Sequence, residues 1–219
     1  MALTIEGTPA TTLNTTSAAS HTLNLPSGIQ ADEILVVMAF SDDTNRHWTN
    51  VDYTLLGANG PITFLWKTAT GSEGASDTFN VNTGTTLMRG SVAFRCSGLD
   101  ATNPFLATPN YAEGQNTSED PFVLAANTIT GVTAGNDLIL AFAGADTSAA
   151  RSITTLDADL TLIASTSENR FHTAWEENPG TGNSAYSTDM SDSRAWAWLL
   201  VEANVAAAAG TSTILQQHG

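Results

Sequence analysis

Four histidines, one cysteine and a scatter of acids are the side chains with which this sequence could do chemistry. His21, His47, His172 and His218 show neither HxH nor HExxH spacing, so they do not read as a zinc site. The pairs Asp42-Asp43 and Glu176-Glu177 could be imagined as the two carboxylates of a glycosidase. Adjacent acids on a strand point to opposite faces, however, and a loop-borne pair is unconstrained by sequence. Asp42, Asp43, Asp146, Asp189 and Asp192 offer oxygens to calcium, yet no EF-hand or nonapeptide spacing joins them. Cys96 sits in the apolar alternation SVAFRCSG and reads as a small buried hydrophobe. With no nucleophile elbow, phosphate loop or dinucleotide fingerprint either, the expectation is a protein that is not an enzyme, with no catalytic residue, cofactor or metal.

What remains is contact chemistry. Trp48 stands in the polar stretch SDDTNRHWTN, where a loop aromatic can meet a sugar ring or a protein partner, or simply anchor its own loop. Ile214 and Leu215 form an apolar pair in an otherwise polar end, suited to adding a short strand to a neighbour or folding back on the same chain. Trp48, Ile214 and Leu215 are therefore the candidate partner-contact residues. Trp66, Trp175, Trp196, Trp198 and Phe94 lie in strand-like alternations and are expected in the core.

The surface around such contacts is unusual. The 219 residues carry 22 acids against 7 Lys and Arg, a net charge of −15, with 33 Thr and 18 Ser but a single lysine, Lys67. Phosphate neutralisation needs clustered cations, so nucleic acid is excluded as a partner. No stretch approaches the roughly 20 apolar residues of a membrane helix. Residues 1–25 lack the basic start and apolar run of a signal peptide, so synthesis in the cytoplasm is expected. Asn14 and Asn116 head glycosylation sequons that matter only in a secretory pathway.

The elements that must position these residues read as strands. Thr-rich, Lys-poor segments of period two are separated by Gly, Asn, Asp and Pro at short intervals. Candidates run over 22–25, 33–40, 53–56, 62–68, 78–82 and 91–96, then 122–126, 137–143, 160–165, 170–176, 184–188 and 195–202. EILVVMAF and DLILAFA are apolar without interruption, which predicts central strands covered on both faces. A turn of helix is allowed only at 205–209.

These segments repeat. GIQADEILVVMAFSDDT from Gly28 falls over GVTAGNDLILAFAGADT from Gly131, YTLLG over LTLIA, Trp66 over Trp175, and RGSVAFRCSG over SRAWAWLLVEA, which sets Phe94 against Trp198. The expectation is an all-β chain of two tandem, internally duplicated antiparallel β-sandwiches, jelly-roll or immunoglobulin-like. Residues 1–104 form the first with an N-terminal arm over 1–18, 105–204 the second, and 205–219 a C-terminal tail. A linker is read at 100–109.

The landmarks GIQADEILVVMAFSDD, YTLLG, TFLWKTATGSE and RGSVAFRCSGLDATNPF together resemble the β-sandwich structural proteins of tailed bacteriophage virions, of the capsid decoration and tail-associated type. The likeness covers 19–105 best and 122–204 more loosely. It implies a virion location and a non-enzymatic role, with a head decoration or cement protein as the leading form. Implied partners are the major capsid protein or other virion proteins and further copies of the chain itself, the two ends serving as contact arms. A carbohydrate-binding module of a tail fibre or cell-surface adhesin, with glycan as ligand, is the rival reading. A glycoside hydrolase ranks behind both.

Overall fold

In the computed structural model, described over residues 2–41, 46–59, 62–85, 89–119, 121–144, 153–166, 171–190 and 194–206, the alternation becomes sixteen strands and no helix. At 59, 89, 107–119, 144, 190 and 194–196 the backbone alone is described. Eight strands come from the first half: β1 (Thr4–Asn14), β2 (Ser20–Asn24), β3 (Ala31–Ser41), β4 (Trp48–Thr49), β5 (Thr54–Asn59), β6 (Ile62–Thr70), β7 (Ser76–Val81) and β8 (Arg89–Ser97). The second half gives β9 (Phe105–Glu119), β10 (Phe122–Leu124), β11 (Asp137–Gly144), β12 (Ile153–Thr155), β13 (Thr161–Ser165), β14 (Phe171–Glu176), β15 (Tyr186–Met190) and β16 (Arg194–Ala203).

The duplication is visible in the strand orders. A five-stranded sheet β5-β6-β3-β8-β1 and a three-stranded sheet β2-β7-β4 form the first unit. The second repeats them as β13-β14-β11-β16-β9 and β10-β15-β12. Register makes the match residue by residue. Val36 stands opposite Trp66 and Phe94, and Ile139 opposite Trp175 and Val201, so Trp66 and Trp175 are true counterparts. Phe94 answers to Val201, not to Trp198 as the sequence alignment set it. Trp198 lies opposite Phe142, whose counterpart Ala39 faces Ser91. Matching aromatic to aromatic had shifted this strand by three residues, and an odd shift exchanges its faces.

Three apolar layers hold the molecule. Leu35, Val37 and Ala39 on β3 pack with Leu23, Trp48 and Phe79 inside the first unit. Leu138, Leu140 and Phe142 on β11 pack with Phe122, Tyr186 and Trp198 inside the second. The opposite faces of the same strands meet each other. Ile34, Val36, Met38 and Phe40 join Ile139, Ala141 and Ala143 in one shared core, so the two large sheets stack face to face and the molecule has four sheet layers. This is why β3 and β11 are apolar throughout. The shared layer is fastened by rings from both units, Phe40 stacking on Phe171 at 5.4 Å and Phe64 packing edge-on to Phe105 at 4.9 Å, with Ala141, Ala143, Ala197 and Ala203 in the same layer.

The stacking has a two-fold character. β1 lies against β13 and β5 against β9, while β8 meets β14 and β6 meets β16. Each contact thus recurs with the two units exchanged, as in an isologous dimer.

Over its described residues, 2–18, the expected N-terminal arm is not free. β1 pairs along β8 from Thr4–Ser97 to Asn14–Arg89, Leu3 is buried in the shared core, and its N–H donates to Asp137 Oδ2 of the other unit (2.9 Å). Gly7 in the left-handed region (φ 66°) and Pro9 had disguised this strand, because both belong to the bulge between Glu6 and Ala10. The linker is likewise shorter than expected, since β9 begins at Phe105. Its backbone is tied down by Asp100 N–H to Asn204 O and Asn204 N–H to Pro104 O, both 2.8 Å. Val205 forms a bridge to Leu99, and the tail beyond Ala206, with Ile214 and Leu215, lies outside the described residues.

Candidate functional site

Trp48 is not a surface contact. It is fully buried, 5.5 Å from the His21 ring, and its backbone N–H donates to Thr63 Oγ1 (3.0 Å). The two-residue strand β4 pairs with Val81 and Asn80 and buries the indole, while His47 and Thr49 on either side are half-buried. A polar context in sequence says little about one alternate position of a short edge strand. The same burial overtakes other reactive groups. His172 stacks on Phe142 at 5.0 Å, and Cys96 is buried with its thiol directed at Ile34 O (3.5 Å). Burial, then the nearby Glu33 and Glu6, push that thiol well above its ordinary range, so it stays protonated.

Of the paired acids, Glu176 is structural. It accepts from Ser184 Oγ (2.6 Å) and Tyr186 Oη (2.5 Å) and is 5% exposed. Burial and this carboxylate hold the Tyr186 phenol well above its usual pKa. Glu177 is exposed, so the pair does not converge on one point. Asp42, Asp43, Asp146, Asp192 and His218 lie outside the described residues, and the described His, Cys, Asp and Glu form no group able to hold a metal ion.

The concave feature of interest lies where the two units meet. Edge strands β1 and β13 flank a groove of about 390 Å³ lined by Ile5, Pro9, Leu162, Ile163 and Trp175, with hydroxyls only from Thr4 and Thr161. The opposite rim carries a different side chain. At the opposite rim Phe105 packs edge-on against Trp66 with ring centroids 6.0 Å apart. Phe105 pairs with Ala203 and Ile5 with Cys96, which are counterparts, so Ile5 occupies in the first unit the place of Phe105 in the second. Trp175, like Trp66, is half-buried. None of the described residues that line it is titratable, and the groove can bury an apolar group or stack a ring.

The second apolar feature is a pair of edges. Leu55 on β5 and Leu162 on β13 are each 44% exposed, and both strands end their sheets. The sequence ranked Trp175 as core and did not find the groove, because finding it required reading β1 and β9 as strands. The repeat YTLLG/LTLIA did contain both leucines. Trp196's side chain is outside the described residues, whereas Trp198 is buried in the second unit as expected. Searches with this chain find no matching protein-family model, curated protein or solved structure.

Proposed function

We propose that this chain is a non-enzymatic structural protein of a bacteriophage virion, a decoration or cement protein that reinforces the head. One observation carries the reading. Among the described residues, Cys96, His172 and Glu176 are buried within a four-layer stack, while apolar edges and a groove are offered outward. The resemblance of its landmark segments to virion sandwich proteins supplies the setting. The mechanism is burial of apolar area and edge-strand pairing against a shell, which stabilises an assembly without bond chemistry. A net charge of −15 on the remaining surface keeps free copies apart and repels other polyanions.

The test is imaging of particles assembled with and without the protein, followed by heating. Density on the head, and heads that open at lower temperature when the protein is left out, are the expected results. Density on the tail, or none on the particle, overturns the reading. The rival glycan-binding reading is favoured by the ring of Trp175 in its groove. A glycan array decides it: binding that disappears in Trp175→Ala would replace the structural role with recognition.

A further inference from the structure

The chain leaving one unit crosses the chain leaving the other. Leu99, just past β8, and Val205, just past β16, form an antiparallel bridge, with Asp100 N–H donating to Asn204 O and Ala206 N–H to Gly98 O, both at 2.8 Å. Antiparallel segments leave such a bridge in opposite directions. The first runs through Pro104 into β9, where the ring of Phe105 meets Trp66 at the rim of β5 and β9. Under the two-fold exchange that relates the units, the second heads for the rim of β1 and β13, where the groove lies beside Trp175. Its last described residue is already close. Ala206 is bonded to Gly98, which lies so near β1 that a Cβ on it would collide with Ala2 O, and the next residue, Leu3, lines the groove.

Residues 207–219 follow, outside the described residues, and carry the apolar pair Ile214 and Leu215. Ile214 stands eight residues beyond Ala206, a reach of up to about 26 Å, while the β1 wall from Leu3 to Pro9 spans about 20 Å. The pair can therefore meet any point of the groove. Chemistry fits as well as length, since the walls are apolar apart from two threonines, and residues 211–215, TSTIL, bring no charge to desolvate on entering. A volume of about 390 Å³ admits a few side chains rather than a folded partner. Both flanking strands are bulged, β1 between Glu6 and Ala10 and β13 between Leu162 and Ala164, which favours insertion of side chains over a continuous added strand. Attachment to the same chain also gives this segment an effective concentration that a separate ligand lacks.

We propose that the groove between β1 and β13 is the seat of the chain's own C-terminal segment, with Ile214 and Leu215 inserted beside Trp175. The tail is then a built-in plug, and a sugar ring or another protein reaches Trp175 only by displacing it. This goes beyond the structural reading above and is tested on the free protein. Failure on the particle and failure here are therefore separate results.

Crosslinking reads the seat directly. The native thiol of Cys96 is buried, so introduced cysteines report alone. Gln216→Cys, which leaves the anchoring pair intact, is combined either with Leu162→Cys in the groove or with Leu55→Cys on β5 at the other rim, two positions equally exposed at 44%. With a short bismaleimide and about 1 μM protein, the Leu162 combination should crosslink within one chain at least about fivefold faster than the Leu55 combination. Ending the chain at Ala206 should raise acrylamide quenching of tryptophan emission, and the increase should vanish when Trp175→Phe is present in both chains. The full-length double variant Ile214→Ser, Leu215→Ser should quench as the shortened chain does. Equal crosslinking at the two rims, or quenching that the truncation leaves unchanged, overturns the proposal. Crosslinks that join two chains put the tail on a neighbouring copy and overturn it as well.

Discussion

The two units fold alike while solving the same polar positions with opposite chemistry. In the first, Arg95 on β8 reaches Glu33 at the start of β3, with Nη1 2.7 Å from Oε1. Their counterparts in the second are Glu202 and Asn136, and here the carboxylate accepts from the amide, Nδ2 to Oε1, at 2.5 Å. A cation and an anion have become an anion and an amide. Lys67, which lies over the Tyr53 ring at 4.7 Å and pairs with Glu73, is likewise answered by Glu176, which accepts from Tyr186. The comparison teaches that apolar alternation defines this fold. A buried polar position needs only to be satisfied, and the sign of its charge is free.

The largest expected effect tests whether the units are independent. Phe64 sits in the shared core and packs on Phe105 of the other unit at 4.9 Å. Phe64→Ala should destabilise by about 3–5 kcal/mol. Because the cavity opens between the units, calorimetry should show one transition moving to lower temperature. Two separated transitions, with only the first-unit one moved, would mean that the units melt alone.

The polar exchange comes next. Arg95→Leu leaves Glu33 largely buried without its cation and should cost about 3 kcal/mol. Arg95→Glu combined with Glu33→Asn installs the second unit's pair in the first and should recover most of that loss. If the double variant is no more stable than Arg95→Leu in urea denaturation, the two solutions are not interchangeable, and the surroundings of each have been adapted to it.

These same positions show what could be read in sequence. β3 and β11 were legible as strands covered on both faces, because Ile34–Phe40 and Leu138–Ala143 have no polar interruption. What covered the outer face was not legible. The partner face is contributed by residues about 100 positions away, and nothing local in Ala141 or Ala197 marks them as members of a layer shared with Phe40 and Phe64. β1, β9 and β12 escaped because bulges break their alternation, and β4 because two residues carry no period. Phe94 and Trp198 were misaligned for a different reason: aromatic identity was followed where strand parity decides the face. The groove depends on both failures, since it lies beside β1 and is visible only when Ile5 is set against Phe105.

Alkaline pH compares the units through their tyrosines. Burial, then Asp77, raises the Tyr53 phenol, and burial, then Glu176, raises that of Tyr186, each well above the ordinary value of 10.0. For an acid whose folded pKa is raised, the contribution to stability is complete below the unfolded pKa and is lost as pH climbs above it. Each tyrosine should therefore remove about 1.4 kcal/mol per pH unit above roughly pH 10. Ultraviolet titration should show two of the three tyrosines ionising only together with unfolding. Three ordinary titrations in a still-folded chain would contradict this burial.

The smallest effect concerns the groove and has the opposite sign. Ile5→Phe places at the first rim the side chain that Phe105 supplies at the second, over the same tryptophan of the repeat. An added edge-to-face contact and a filled hollow should stabilise by about 1 kcal/mol. The backbone need not adapt, since β1 already pairs regularly with β8 at Ile5–Cys96. The cost to set against this is overpacking, because Ile5 also touches the shared core. A gain in urea midpoint, with Trp175 fluorescence shifted to shorter wavelength, would show that the groove exists because a small residue stands there. A loss of stability would mean that the rim around Trp175 has a shape of its own, and that the two ends of the molecule are no longer copies of one another.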